Sequence, residues 1–274
     1  MTLNHISKKK ILEMINSKKI NWITTKPYDI FSITDFLNED DFLKIEKNFP
    51  DYKDIHKDNL FKFNDNKFAI TSGSKEYEDI ILSNKVLKKF HEFVNSDDFK
   101  KIFFFNLFKR ILFSRSFNLK HIIKILKIPR FVKKIDKNFF KKNLTLFSNF
   151  RISIQYSYIL NEGLIVPHPD AGDKVLTLLL FFPQYKIQQK NFAKEKNYGT
   201  TFWNSTFKNE MDKHIIDRSE KKNFKKTSNI LYKADFLRNY LVGFIKNKYS
   251  WHSVEPINVQ EGYVRKSINI NVYY

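Results

Sequence analysis

Arg151-Ile-Ser-Ile-Gln-Tyr-Ser-Tyr158, then His168-Pro-Asp170, then Lys174-Val-Leu-Thr-Leu-Leu-Leu-Phe-Phe182 is the stretch from which the fold is read. In its first segment Ile152, Ile154, Tyr156 and Tyr158 alternate with Ser153, Gln155 and Ser157, the period of two expected of a half-buried strand. In its last segment Val175–Phe182 is almost unbroken apolar chain, which predicts a strand buried on both faces. Further short strands are expected at Gly199–Trp203, around Tyr232, and over Asn239–Ile245, Tyr249–Val254 and Ser267–Val272. Polar, lysine-rich loops are expected between them at Gln188–Asn197 and Asn204–Asn229.

Upstream of Phe147 the pattern is mainly helical. Ser7–Ser17 reads as a short basic helix, and Ile30–Ile33 as a strand. Asn38-Glu-Asp-Asp caps a helix over 40–48 that Pro50 ends, and 51–80 reads as loops with one or two short strands. Asn84–Val94 and Asp97–Phe113 carry apolar residues at helical spacing. The expectation is an α+β protein: a double-stranded β-helix (jelly roll) core over 148–274, with a helical N-terminal half, 1–147, packed on it. At 274 residues with no linker rich in Gly, Pro or Ser, the two parts are expected to form one structural domain.

His168 and Asp170 lie two apart, and on an extended segment positions i and i+2 point to the same side. With His252, 82 residues beyond Asp170 (252 − 170), they make two imidazoles and one carboxylate. Such a set can occupy one face of an octahedral ion and leave the other face open, as in non-haem Fe(II) sites. A short pattern is weak alone: His56 also has an acid two residues on, Asp58, within a polar stretch with no buried strand after it. Arg265 follows His252 by thirteen positions (265 − 252) and offers a planar fork of donors for a carboxylate. The chain has 42 Lys and 7 Arg, so a position needing positive charge alone would more readily have been Lys.

At these residues the chain resembles the 2-oxoglutarate/Fe(II)-dependent oxygenase superfamily, nearest its prolyl-hydroxylase-like branch. Trp251-His-Ser-Val-Glu-Pro256 resembles the family's distal-histidine segment, Arg265-Lys-Ser267 its cosubstrate-binding R-x-S, and Gly199-Thr-Thr-Phe-Trp203 its Gly-led strand. Pro27–Leu37 and Asn48-Phe-Pro50 are similar to its N-terminal entry. The resemblance implies that His168, Asp170 and His252 bind Fe(II), and that Arg265 and Ser267 hold the distal carboxylate of 2-oxoglutarate. It further implies that Tyr158, ten residues before His168, lies over the cosubstrate; as a core tyrosine it would read the same. The strand after H-x-D offers Leu and Phe181-Phe182 where relatives often have a tyrosine, which leaves Lys174 as a further clamp candidate. The implied activity is O₂-dependent hydroxylation through a ferryl intermediate, with release of succinate and CO₂. The substrate class (small molecule, glycan, lipid or protein) is not specified by the motifs.

Two other readings compete. A non-catalytic jelly-roll binding module would normally have lost a ligand or the arginine, and all four are present. A nucleic-acid demethylase of the same fold usually carries R-x-N-x-x-x-R, whereas Arg265 is followed by Lys-Ser-Ile-Asn-Ile-Asn-Val. The formal charge of +20 (49 − 29) is mostly lysine, alongside only four Ala and abundant Asn, Ile and Phe; this composition points to solvated lysines rather than nucleic acid. Residues 100–142 contain 14 Lys or Arg against the single acid Asp136, an amphipathic basic stretch that fits either helices packed on the sheet or a contact with an anionic membrane surface. No run reaches the eighteen or so apolar residues of a membrane span, the N-terminus lacks a secretory apolar core, and there is no cysteine. A cytoplasmic protein is expected.

Overall fold

The computed structural model describes residues 20–52, 66–97, 99–100, 107, 110–111, 150–170, 173–184, 196–207, 220–258 and 263–273. The expected helix at Ser7–Ser17, most of the Gln188–Asn197 loop and nearly all of 100–142 lie outside these residues. The described elements, in chain order, are β1 (Asn21–Thr24), β2 (Ile30–Ile33), α1 (Glu39–Lys47), β3 (Lys67–Thr71), α2 (Lys75–Ser83), α3 (Lys85–Asn95), β4 (Arg151–Ile159), β5 (Ile165–His168) and β6 (Lys174–Phe182). They continue with β7 (Thr201–Ser205), α4 (Lys221–Lys226), β8 (Ser228–Lys233), β9 (Leu241–Ile245), β10 (His252–Val254) and β11 (Arg265–Tyr273).

The strands form two antiparallel sheets, ordered β1-β2-β9-β6-β11-β4-β3 and β5-β10-β7-β8. Within β4–β11 the chain crosses between sheets, placing β4, β6, β9 and β11 in the larger and β5, β7, β8 and β10 in the smaller. That winding is a double-stranded β-helix, and it brings residues 84 apart in sequence (252 − 168) onto neighbouring strands. β1, β2 and β3 extend the larger sheet, so the N-terminal half contributes strands as well as helices.

Alternation on the larger sheet separates two environments. Ile152, Ile154, Tyr156 and Tyr158 of β4, Leu176, Leu178 and Leu180 of β6, and Ile268, Ile270 and Val272 of β11 face a helical layer. There they meet Phe42 and Ile45 of α1, Tyr77 and Ile81 of α2, and Leu87, Phe90 and Val94 of α3. Each such buried side chain contributes about 1.5–3 kcal/mol, which makes this layer the main apolar support of the sheet. Asparagine caps start two of its helices: Asn38 Oδ1 accepts from Asp41 N at 2.8 Å, and Asn84 Oδ1 from Val86 N and Leu87 N at 3.0 and 3.1 Å. Leu107 and Ile111, two described residues of the basic stretch, are buried in the same layer.

The opposite face looks into the barrel. Ile159, Leu179, Phe181, Phe202, Phe236, Val242 and Phe244 form one apolar cluster there. Beside it the same face turns polar: β4 presents Gln155 and Ser157, and β11 presents Arg265, Ser267, Asn269 and Asn271. The half-buried strand expected at 151–158 is thus covered on both sides, its Gln155 and Ser157 facing a cavity rather than solvent. Two elements differ from expectation. Residues 75–83 form a helix capped by Ser74 where loops were expected, and 221–226 form α4 inside an expected loop.

Candidate metal centre

His168 ends β5 and His252 begins β10, and the two are direct partners across the antiparallel pair. Their rings lie 4.2 Å apart, centroid to centroid. Asp170 reaches them by a turn rather than by strand parity, since β5 stops at His168 and Asp170 has φ +67°. That left-handed conformation is tolerated by Asp better than by most residues. It brings Oδ1 to 3.7 Å from His168 Nε2 and Oδ2 to 3.9 Å from His252 Nε2. The three donor atoms lie within 4.8 Å of one another, close enough to share one ion.

The histidines are oriented for this task. Nδ1 of His168 donates to the Val166 carbonyl and Nδ1 of His252 to the Ser250 carbonyl, each at 2.9 Å. A carbonyl can only accept, so the proton sits on Nδ1 and both Nε2 lone pairs point at the shared centre. Ser250 also couples the two ligand segments: its Oγ donates to Asn247 O at 2.7 Å and reaches Pro169 O at 3.3 Å. Tyr28 adds a brace by donating to the Trp251 carbonyl at 2.8 Å. Asp170 accepts from Lys174 Nζ (2.7 Å, Oδ1) and Thr177 Oγ1 (3.0 Å, Oδ2), which fixes its plane and leaves further lone pairs on both oxygens.

Burial, and then the neighbouring His252, lowers the His168 imidazole to about 3; burial likewise lowers His252. Burial alone would raise the Asp170 carboxyl, but Lys174 and the two histidines outweigh it and hold it well below the usual carboxylate range. At neutral pH the site is two neutral imidazoles and one carboxylate, the protonation state a metal needs. The same shifts predict a pH-dependent stability. Unfolded histidine takes up a proton near pH 6.5 and the native imidazoles do not, so the unfolded state binds more protons below that pH and stability falls on acidification. The metal-free protein is expected to lose on the order of 2–4 kcal/mol between pH 7.5 and 5. Denaturant midpoints at the two values measure this, and an unchanged midpoint would contradict the neutral pair.

These residues line a cavity of about 290 Å³. Arg265, 2% exposed, enters it from the start of β11. Its Nε donates to the Tyr198 carbonyl at 2.6 Å, and its guanidinium lies over Phe236 and Phe181 at 4.8 and 5.4 Å. Gly199 permits that anchor, because a Cβ there would fall 1.8 Å from the Ala234 carbonyl oxygen. Among the described residues no carboxylate pairs with Arg265, and burial lowers it to about 10. A desolvated guanidinium of this kind is stabilised by a bound anion.

No family model matches the sequence, and no curated protein does. Solved structures do. The chain is similar to a prolyl-4-hydroxylase of Pseudomonas putida, with TM-score 0.43 and 7% identity over 96% of this chain and 98% of that one. It is also similar to a prolyl hydroxylase of Trichoplax adhaerens in complex with a hypoxia inducible factor peptide fragment (TM-score 0.40, 10% identity, 97% and 90% covered). A third is the epimerase SnoN in complex with Fe³⁺, α-ketoglutarate and nogalamycin RO (TM-score 0.49, 7% identity, 97% and 84% covered). The strand winding is that of a double-stranded β-helix, and it gathers the H-x-D…H donors where β5 and β10 pair.

Of the residues singled out in the sequence, His168, Asp170, His252, Arg265, Ser267 and Lys174 meet in the one cavity. Tyr158 does not. It lies on the helical face of β4, where its hydroxyl donates to the Pro50 carbonyl at 3.0 Å and Phe49 packs edge-on at 5.6 Å. Strand parity gives the cavity to its neighbours Ser157 and Ile159 instead. Lys174 serves Asp170. Trp203 and Trp251 cluster with Phe224 apart from the cavity. Lys67, Ser157, Thr177, Asn269 and Asn271 line it as well, none of them indicated by a motif.

Proposed function

We propose that the protein is an Fe(II)/2-oxoglutarate-dependent dioxygenase that hydroxylates a C–H bond of its substrate and releases succinate and CO₂. One observation carries the reading: the cavity holding the two histidines and the carboxylate also holds a buried arginine with no carboxylate partner among the described residues. A donor set suited to Fe(II) and a fork suited to a carboxylate, in one cavity, fit a metal-chelating oxo acid that carries a second carboxylate.

Nε2 of His168, Nε2 of His252 and one oxygen of Asp170 would hold the iron, whose chemistry when bound is O₂ activation coupled to oxidative decarboxylation of 2-oxoglutarate. The chain's own part is geometric and electrostatic. The Nδ1 bonds fix both imidazole tautomers, Thr177 and Lys174 fix the carboxylate, and Arg265 sets the register of the cosubstrate. Phe181 and Phe236 dry the surroundings of the guanidinium, which strengthens its pairing with an anion. The absence of cysteine and the use of ferrous iron favour a cytoplasmic setting; among the described residues no helix is long and apolar enough to cross a membrane.

A second reading, a jelly-roll binding module without metal, is favoured by the Lys174 ammonium on Asp170 at 2.7 Å, where it neutralises the carboxylate without any ion. Incubation of the protein with Fe(II), ascorbate, O₂ and 2-oxoglutarate separates the two. The enzyme reading predicts succinate well above the level given by Arg265→Met. Succinate equal to that level would support the module.

A further inference from the structure

A lysine stands directly on one of the three metal donors. Lys174 Nζ donates to Asp170 Oδ1 at 2.7 Å, with the two side chains 11% and 7% exposed, while Thr177 Oγ1 donates to Oδ2 at 3.0 Å. Orienting a carboxylate requires hydrogen bonds but no charge, and Thr177 supplies one of that neutral kind. Asp170 is the one acid among the described residues lining the cavity, so the ammonium directs its charge onto the donor set itself.

The backbone is arranged to put the lysine there. Along β6, Thr177, Leu179 and Phe181 face the barrel, while Leu176, Leu178 and Leu180 face the helices. Strict alternation would send Lys174 to the helices with Leu176. The pairing with β11 is interrupted at this point. Val272 lies opposite Leu176 and Tyr273 opposite Lys174, which leaves Val175 as the extra residue of a β-bulge. Val175 joins Leu176 in the apolar layer, and Lys174 turns into the cavity, its ammonium 6.0 Å from the centre of the Tyr273 ring. Bulges beside functional sites re-aim side chains in this way.

The charge bears on any ion the triad holds. Two imidazoles and one carboxylate offer an ion a single negative charge, and the ammonium offsets it. Its repulsion of the ion grows with the ion's own charge, so a trivalent ion is disfavoured more than a divalent one. One elementary charge, one ligand removed and in a buried site, corresponds to roughly a ten- to hundredfold preference. A neutral donor in its place would orient Asp170 without that preference.

We infer that Lys174, acting through Asp170, favours the ferrous over the ferric state of the bound iron by raising the potential of its one-electron couple. This rests on the function proposed above. Lys174 is then a positioning residue whose charge, more than its hydrogen bond, sets the property of the site. The ammonium and the metal coexist on Asp170, because each carboxylate oxygen keeps a lone pair beyond those used by Lys174 and Thr177.

The test is the midpoint potential of the iron-loaded full chain, measured without 2-oxoglutarate in a mediated titration that follows the electron paramagnetic resonance of the ferric form. Lys174→Gln keeps an N–H donor and removes the charge, Lys174→Met removes both, and Lys174→Arg keeps the charge. Lys174→Gln and Lys174→Met should each raise the Fe(III)-to-Fe(II) affinity ratio by about tenfold or more, a fall of about 59 mV or more for one electron. Lys174→Arg should stay within about threefold of the wild type. Calorimetry with Mn(II) gives a second reading free of redox chemistry. Losing a partner that only orients a ligand weakens metal binding by about 10–100-fold, whereas Lys174→Gln should bind Mn(II) at least as tightly as the wild type. If one neutral variant fails to fold, the other decides. An unmoved ratio in Lys174→Gln, with or without weaker Mn(II) binding, would assign Lys174 to orientation alone and overturn the inference while leaving the oxygenase reading intact. A wild type that binds neither Fe(II) nor Mn(II) would overturn both.

Discussion

Asp170→Ala is expected to lower Fe(II) affinity by at least about 100-fold and to destabilise the metal-free protein by about 3–5 kcal/mol. The two effects have different origins. Loss of affinity follows from losing one of three ligands; removing even a supporting group behind a ligand costs 10–100-fold, and the ligand itself must cost no less. Loss of stability follows from Lys174. Its side chain is 11% exposed and its ammonium lies 2.7 Å from the carboxylate, so truncation leaves a buried charge without its partner. Thr177 Oγ1 loses its bond to Oδ2 at the same time. Metal titration of the folded variant and its denaturant midpoint measure the two terms separately. The pairing of effects is specific to this site. A variant at His252 would lose the metal while leaving the Lys174–Asp170 pair in place, so its apo stability should fall much less.

Arg265→Met is expected to act in the opposite sense on stability. The guanidinium is buried over two phenylalanine rings with its Nε on the Tyr198 carbonyl, and among the described residues no carboxylate offsets its desolvation. Replacing it by a side chain of similar length should leave the melting temperature of the apo protein unchanged or raised. Binding of 2-oxoglutarate should weaken by about 2–5 kcal/mol, roughly 30-fold to several thousand-fold, as expected when one partner of a buried charge pair is removed. Arg265→Lys should recover little, because an ammonium provides neither the fork nor the Nε donor to Tyr198. Parallel calorimetry and thermal melts check the pair of outcomes. A variant that lost stability and kept its affinity would assign Arg265 to the core.

The sequence carried the fold class and pointed to His168, Asp170 and His252, which the structure brings together, because both are written locally. Alternation over 151–158, a nearly unbroken apolar run over 175–182 and short strand-length segments afterwards leave few architectures other than a rolled pair of sheets. H-x-D before a buried strand and H-S-V before R-x-S are patterns of a few residues each, and the winding then brings them together at the His168–His252 pair. The means of approach was not legible. Positions 168 and 170 were read as one face of a strand, whereas the chain turns through the left-handed conformation at Asp170.

Tyr158 shows why the rest was hidden. The alternation on β4 was correct, but which half faces the cavity depends on what covers each side. Three helices cover the tyrosine face, so the serine face, which looks solvent-exposed in sequence, is the one that meets the ligand space. Lys67 carries no signal at all, since its place comes from the register of β3 against β4, a tertiary pairing 92 residues long in sequence (159 − 67). Arg265 was visible for a compositional reason: in a chain with 42 Lys and 7 Arg, a guanidinium in a strand indicates a need for its geometry.

Anaerobic addition of Fe(II) and 2-oxoglutarate to the apo protein tests the central claim most directly, through the weak visible charge-transfer band of a 2-oxo acid chelated to ferrous iron. The band should appear only when both are present, disappear in His252→Ala, and require far more 2-oxoglutarate in Arg265→Met. Folded, iron-loaded protein that develops no band at saturating 2-oxoglutarate would contradict it, and would leave the Lys174–Asp170 pair as the centre of a binding module rather than part of an oxygenase.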